Sequence, residues 1–459
     1  RKDYGRELPP FENKDFWGDT SGNPTTWGNY DNPAFRDWVM LKAYSARDHI
    51  KMVKSVLGDR PLMTCCSATG PMVLNGLGLN LERFMDDLDL VMLENCGMGV
   101  QTVVWDRIEA EALQQKNIAL NMGKAPAIAL SYSTYDTSAY MGWAFARFWG
   151  VSNWASTLVG RLSHDPGDIK EISDLLAPCN NWEDRYSKID PCEGKDLYEV
   201  RLVNNLLCRE NGHRDNQGMD HWSKTAAWSK ALLRCNVGYR FVRYTELSDQ
   251  ERLLSEDTPL ILDNCGVVSN DQFEAIKAFL NQSGKVIIVL PFGTKDEKGF
   301  VREKPLSDEL IKNAYPGLTL IENHLADEDI VNQLIKKEII KPRVRQIQGD
   351  ETWAVKIRKH EGHLVMHLLN RAIEAIAHPE LTTPYSGGKI LYDINAANKQ
   401  ETLSYIIKTD SMTGSFKDLY FMSPETGSVI RDVAVEQVNE EEIKITFNVK
   451  DIKLYGIVS

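Results

Sequence analysis

From residue 33 to residue 156 the chain alternates between two hydrophobic textures. NPAFRDWVMLKAYSARDHIKMVKSVLG carries apolar residues at helical spacing. Asn32 can cap that helix, Pro33 suits its first turn and Gly58 can end it. RPLMTCC then reads as a short apolar strand, LNLERFMDDL as a helix and LDLVMLENC as a second, buried strand. RIEAEALQQKN is helical, APAIALSYS is a third strand, YMGWAFARF is a helix, and WGVSNWAS is a fourth strand. Short, fully apolar strands separated by helices predict parallel βα units covered on both faces. Such a series fits half of a (β/α)₈ barrel or one flank of a doubly wound sheet.

The texture changes twice more. Residues 160–215 hold no clear strand: SHDPGDIKEISDLLAP and GKDLYEVRLVNNLLCREN read as helical, and CNNWEDRYSKIDPCE between them as a polar loop. Near residue 219 the alternation restarts. WSKTAAWSKALLRCN reads as a helix, YRFVRYTEL and TPLILDNCG as strands, SNDQFEAIKAFLNQSG as a helix capped by Ser269, and KVIIVLPFG as a buried strand. This predicts a compact α/β unit with a parallel sheet. It contains neither GxGxxG nor GxxxxGK[ST], so nucleotide binding has no support. From about residue 350 the period becomes two. ETWAVKIRKHEGHLVMHLLNR is a hairpin turning near Gly362, and KILYDI, LSYIIKT, SFKDLYFMS, SVIRDVAV and EIKITFNVKDIKLYGIVS continue as strands of a small antiparallel sandwich. The expected division is 1–215, 216–345 and 346–459.

Size and charge narrow the classes. At 459 residues, 42% hydrophobic and 26% charged, the chain is an ordinary globular protein of two to four domains. A net charge of -12 with no concentrated basic face argues against a nucleic-acid partner. No apolar run reaches the length of a membrane span, and the first residues contain no apolar leader core. The chain starts at Arg1 without Met, so the pattern allows for a lost leader or N-terminal segment, and cytoplasm and bacterial periplasm both stay open. No CxxC pair occurs among the eight cysteines. Cys65, Cys96 and Cys265 read as buried thiols, and a Cys179–Cys192 disulfide is allowed without being required. His360, His363 and His367 lack the carboxylate or thiolate company of a metal site, so neither metal nor cofactor is expected.

The order of parts resembles glycoside hydrolase family 42, the trimeric β-galactosidase type. KDFWGDTSGNPTTWGNYDNPAFRDW resembles that family's tryptophan-rich stretch before barrel strand five. RPLMTCC, LDLVMLEN, PAIALSYS and FWGVSNWAS then fall as strands five to eight. PLILDNCGVVSNDQFEAIKAFLNQSGKVIIVLPFGTKDEKG resembles its glutamine-amidotransferase-like trimerisation domain, and HLVMHLLNR its entry to the terminal sandwich. The resemblance implies an α/β fold: a partial (β/α)₈ TIM barrel, a Rossmann-like α/β domain and a small C-terminal antiparallel β-sandwich. It implies a carbohydrate substrate, a homotrimer, and an upstream segment or second chain that completes the barrel. The family's acid/base glutamate ends strand four, so it is expected before Arg1. Its nucleophile ends strand seven, which falls near Ser131 rather than on a carboxylate.

Glycoside hydrolysis needs two carboxylates beside the scissile bond, about 5–5.5 Å apart for retention. Barrel enzymes place such groups at the C-terminal ends of strands. Glu94 meets that placement at the end of LDLVMLEN, and a glutamate ending a buried strand is costly unless paired or used. The expected catalytic residue is therefore Glu94. The expected substrate contacts are Asn95, Tyr132, Asp136, Trp149, Asn153 and Trp154, the tryptophans as flat apolar platforms for sugar C–H faces. Trp149 reads equally as core. Trp17 and Trp27 suit a sugar cleft, a subunit contact or a loop held by its own aromatics. The activity implied is a retaining exo-glycosidase for β-linked sugars; the alternative is a non-catalytic carbohydrate-binding or assembly protein with a degenerate barrel.

Overall fold

The computed structural model describes residues 8–21, 28–64, 78, 80–95, 105–121, 127–132, 136–156, 166–189, 194–349, 352–378, 391–396, 401–409, 418–427 and 429–459. By its internal contacts the chain divides into two compact units. One comprises Arg1–Asp89, Leu202–Ala226 and Phe241–Leu325; the other comprises Leu90–Arg201, Ala227–Arg240 and Ala326–Ser459.

In the first unit the long helix runs Pro33–Leu57, with the Asn32 side chain accepting from Ala34 N and Gly58 at φ +61 closing it. The cap and the left-handed glycine supply partners and geometry that a helix end lacks by itself. Phe16, Phe35 and Val39 are buried together. Trp17 packs edge-on against Trp38 at 5.0 Å and donates its indole N–H to Pro9 O, so it anchors its own loop. Trp27 lies outside the described residues.

Among the described residues the sheet built mainly in this unit has five strands in the spatial order Leu318–Ile321, Val286–Val289, Leu260–Asp263, Val200–Asn204, Tyr239–Arg243. The first three are parallel neighbours. Leu260–Asp263 and Val286–Val289 are buried at every position, as a sheet covered on both faces requires. Helix Asn270–Asn281 starts at Ser269 with a reciprocal capping box to Gln272. The segment expected to be helical around residue 200 is instead the strand Val200–Asn204 followed by the short helix Leu206–Glu210. All five strand positions are buried. A short apolar run does not distinguish strand from helix, and pairing inside the sheet decides it.

Chain order reverses between the 200–204 and 260–263 strands, the point where open α/β sheets usually receive ligands. Here the protein's own polar groups fill it. His221 Nε2 accepts from Asn205 N at 2.8 Å, and its Nδ1 donates to Asp263 O at 2.8 Å, which fixes a neutral ring. His213 Nε2 meets Asn264 Oδ1 at 2.9 Å. Nearby, Lys224 and Asp215 form a fully buried pair at 3.3 Å, and Lys224 also donates to Asn323 Oδ1.

The second unit joins a parallel ladder to an antiparallel sandwich. Leu90–Asn95, Ile128–Tyr132 and Ser152–Ser156 pair in parallel, with helices Trp105–Asn121 and Asp136–Trp149 between them. Helix Pro166–Tyr186 continues through the stretch expected to be a loop. Trp182 explains this: it is buried against Trp143 and Tyr455, so tertiary packing overrides local polarity. Cys179 in the same helix is a free, buried thiol, so the disulfide allowed by the sequence is not formed. Cys192 lies outside the described residues, as do Cys65, Cys66 and Cys96.

Among the described residues the sandwich consists of a four-stranded sheet and a six-stranded sheet. Trp353, Leu368, Tyr405, Phe421, Ile445 and Phe447 share the core between them. The hairpin Trp353–His360/His363–Asn370 turns at Glu361 and Gly362. SVIRDVAV is two strands: Ile430–Asp432 lies in one sheet and Ala434–Gln437 in the other, so the chain changes sheet at Val433.

The two buried histidines of the first unit give a pH test. Burial, the largest cause, pushes both His213 and His221 down to about 4. Unfolded, each ring takes a proton near its ordinary 6.5, so between 6.5 and 4 the unfolded chain binds more protons. Stability is therefore full above 6.5 and is lost as pH falls through 4, by on the order of 3 kcal/mol per ring. Urea unfolding across this range should follow that slope, and the two ring C–H resonances should stay in the neutral position down to about pH 5. Ring midpoints near 6.5 in the folded protein would refute it.

Candidate active site

The candidate site is built on the parallel ladder of the second unit. Helix Asp136–Trp149 feeds its last strand, and residues 141–150 are all buried, because strands lie on one side and the sandwich on the other. The helix stops at Gly150, whose φ is +69. A side chain there would put Cβ 2.5 Å from Lys116 Nζ and would have to adopt the positive φ, which favours glycine. Val151 N then bonds to Ala146 O and Ser152 N to Ala127 O, each at 2.9 Å, which sets the register of the strand.

That register aligns four rows across the ladder. Met92, Ile128 and Ser152 form the first; Leu93, Ala129 and Asn153 the second; Glu94, Leu130 and Trp154 the third; Asn95, Ser131 and Ala155 the fourth. With strands about 4.8 Å apart, the Glu94 and Trp154 Cα atoms stand roughly 10 Å from each other. Trp154 is 45% exposed, unusual for a tryptophan on a covered sheet, and Asn153 beside it is half-buried. Tyr132 ends the middle strand opposite Ser156, and Asp136 opens the following helix. The side chains of Glu94, Asn95, Tyr132 and Asp136 lie outside the described residues.

Trp149 needs correction. Expected at the end of the last strand, it is the final residue of the preceding helix, at the strand's entry rather than its exit. It is 1% exposed and packs on Phe145 at 5.2 Å. The left-handed Gly150 stops the helix after it, so the strand begins only at Ser152. Trp149 is a core residue that contributes its carbonyl to Lys116 Nζ at 3.0 Å.

Behind the ladder lies a buried charge network that periodicity did not reveal. Lys116 pairs with Asp196 at 2.8 Å, and Arg358 Nε lies 3.7 Å from the same carboxylate. Lys356 pairs with Glu109 at 2.9 Å, with both side chains inside. Burial alone would raise Asp196, but Lys116, Arg358 and Lys356 together hold it below the usual range. Arg358 also reaches the Arg147 carbonyl and His367 Nδ1, which lies 2.7 Å from Tyr455 Oη. One signal was available: Glu109, Ala112, Leu113 and Lys116 follow the i, i+3, i+4, i+7 spacing of a buried helix face, two charges included.

Cys208, His221 and Cys265 bring three potential metal ligands within 4.8 Å of one another. The donor set does not fit an ion. Both His221 nitrogens already serve backbone groups, and the Cys208 thiol donates to Val267 O at 3.3 Å. Burial also pushes the Cys265 thiol up, away from the thiolate a metal needs.

No family model matches the chain, and no curated protein matches it. Solved structures do. A β-galactosidase from Bacillus circulans sp. alkalophilus superposes at TM-score 0.57 with 11% identity, over 94% of this chain and 70% of that one. A GH42 β-galactosidase from G. stearothermophilus gives 0.57 and 11%, over 92% and 68%. A rhamnosidase from Novosphingobium sp. PP1Y gives 0.56 and 12%, over 92% of this chain but 39% of that one. At these identities the likeness is one of fold: the chain has a mixed α/β, glycosidase-like architecture.

The two tryptophans make a paired test. Trp154→Ala removes an exposed ring and should leave the melting temperature nearly unchanged; if this row is a sugar site, the change should also weaken β-galactoside binding about tenfold, roughly 1.4 kcal/mol. Trp149→Ala empties the core and should cost about 3–5 kcal/mol of stability. Calorimetric binding and thermal melts check both. A Trp154 variant that binds sugar as wild type does would remove this residue from the site.

Proposed function

We propose that the chain acts as a retaining glycoside hydrolase on terminal β-linked sugars, in the manner of a β-galactosidase. The observation that supports this reading most is the position of Glu94. Its backbone stands next to last in a parallel strand, in a row that ends in an exposed tryptophan. Catalytic groups in parallel α/β architectures occupy that end of the strands. In this reading Glu94 attacks the anomeric carbon as the glycosidic bond breaks, and a facing acid protonates the leaving oxygen. Water then releases the sugar from Glu94. Trp154 supplies an apolar platform. Asn95, Tyr132, Asp136 and Asn153 line the same end as hydroxyl partners.

The wider reading belongs to the same proposal. Residues 1–215 would be the C-terminal part of a (β/α)₈ barrel, 216–345 a trimerisation-like α/β domain and 346–459 the sandwich. A carbohydrate is the expected partner, and no helix among the described residues is long and apolar enough to cross a membrane. The homotrimer is proposed because the α/β domain has no nucleotide motif yet keeps two near-continuous apolar strands; light scattering that reports a monomer at micromolar concentration would remove it.

One observation favours the other reading, a carbohydrate-binding protein without catalysis. Beside Glu94 and Asn95 the adjacent strand carries Leu130 and Ser131, with no carboxylate at that level. Glu94→Gln separates the two. It keeps shape and removes charge, so kcat and kcat/KM on aryl β-galactosides should fall together by roughly 10³-fold, on the order of 4 kcal/mol, with sugar binding and melting temperature largely kept. Undiminished turnover in this variant would remove Glu94 from the chemistry, and sugar binding with no turnover by the unsubstituted chain would transfer the assignment to the binding protein.

A further inference from the structure

A cavity of about 490 Å³ opens in the second unit, away from the ladder, where helix His221–Arg234 ends and the first sandwich strand begins. Arg234, Arg343, Arg345 and Lys408 line it, against Glu328 and Glu442. Arg343 and Arg345 are two residues apart at an extended strand, so they share a face. Lys408 lies opposite Arg343, its N–H donating to the Arg343 carbonyl at 2.9 Å. Like charges placed opposite each other in an antiparallel ladder are destabilising.

The acids present do not balance these cations. Glu328 is engaged by Arg234 at 2.8 Å. Glu442 stands across the ladder from Lys408, also accepts the Asn439 amide at 2.9 Å, and so offsets one further cation, leaving Arg343 and Arg345 in excess within the lining. Glu199 reaches Arg343 at 3.5 Å from behind the cavity. Burial lifts that carboxyl to about 7, against the pull of the Gly238 N–H, Arg343 and Lys408, so it is only partly ionised at neutral pH. Arg345 is exposed and makes no ion pair among the described residues.

We propose that this cavity is an oxyanion site, taking a sulfate, phosphate or carboxylate group between Arg343, Arg345 and Lys408. Guanidinium groups present parallel N–H donors that match such oxygens two at a time, and the lysine adds a point charge. The volume suits a group carried on a sugar-sized molecule. The inference does not depend on the glycosidase reading, because none of these residues belongs to the ladder.

Titration calorimetry on the whole chain at low salt tests it, with inorganic sulfate, galactose 6-sulfate and galactose as probes. Sulfate or the sugar sulfate should bind saturably, excess galactose should not displace the bound sulfate, and added chloride should weaken the anion. Arg345→Gln and Lys408→Gln should each reduce affinity about tenfold or more, roughly 1.4 kcal/mol. Arg345 is at the surface, so its variant keeps the fold, which circular dichroism checks. Glu94→Gln should leave anion binding intact, whatever it does to turnover. Tighter binding of galactose 6-sulfate than of inorganic sulfate identifies a charged saccharide as the ligand, and equal affinities identify the free oxyanion. No saturable binding, or binding equally strong in both substituted proteins, overturns the proposal.

Discussion

Asp196 and the three cations around it form the constraint on which the second unit depends. Lys116 comes from the helix behind the parallel ladder, Arg358 and Lys356 come from one sandwich strand, and Asp196 comes from a two-residue strand paired with that same strand. Taking these charges out of water is expensive, and their mutual attraction compensates only when each finds its partner. The network therefore selects one relative placement of ladder helices and sandwich within the unit. It also reaches the candidate site. The same Lys116 amine that meets Asp196 takes the Trp149 carbonyl and crowds the space a side chain at residue 150 would need. The tight turn that results starts the strand at Ser152 and puts Trp154 in the row of Glu94.

Where the sequence was legible, local chemistry and tertiary packing agreed. Asn32, Pro33 and Gly58 bound one helix, and Ser269 with Gln272 starts another, because caps satisfy backbone groups whatever the surroundings. The 353–370 hairpin follows its alternation and its glycine turn. Misreadings fall where packing outweighs the local signal. Val200–Asn204 contains an arginine and an asparagine, yet all five positions are buried in the sheet centre. Residues 180–186 look like a polar loop, but one buried tryptophan carries the helix through them. Trp149 was read into the last strand because WGVSNWAS gives no sign that its glycine is left-handed.

The candidate site was legible in part for the same reason. A glutamate at the end of an apolar run can be found by inspection, and so can a nearby tryptophan. Their alignment cannot, since register comes from hydrogen bonds such as Ser152 N to Ala127 O. The buried cations were hidden differently. Lys116 and Lys356 sit at positions where helix and strand patterns call for apolar residues, and lysine at such positions reads as surface until its partner is known. The polar filling of the first unit's sheet is assembled from residues 205, 213, 221 and 264, and no short motif announces it.

The two parallel sheets can be compared at the end where ligands usually bind. In the first unit, His221, Asn205 and Asp263 satisfy one another at the point where strand order reverses, and all three are buried. A ligand entering there would have to break bonds to backbone groups that would then be left unpaired in the interior, each costing about 1–3 kcal/mol. The ladder of the second unit differs. Its third row carries a ring 45% open to solvent, and burying such a ring under a sugar gains apolar contact without disturbing any internal bond. The physical cost of admitting a ligand is therefore high at one sheet and low at the other. This difference, which does not depend on likeness to any other protein, favours the row of Glu94 over the first unit's sheet as the place for the proposed sugar site.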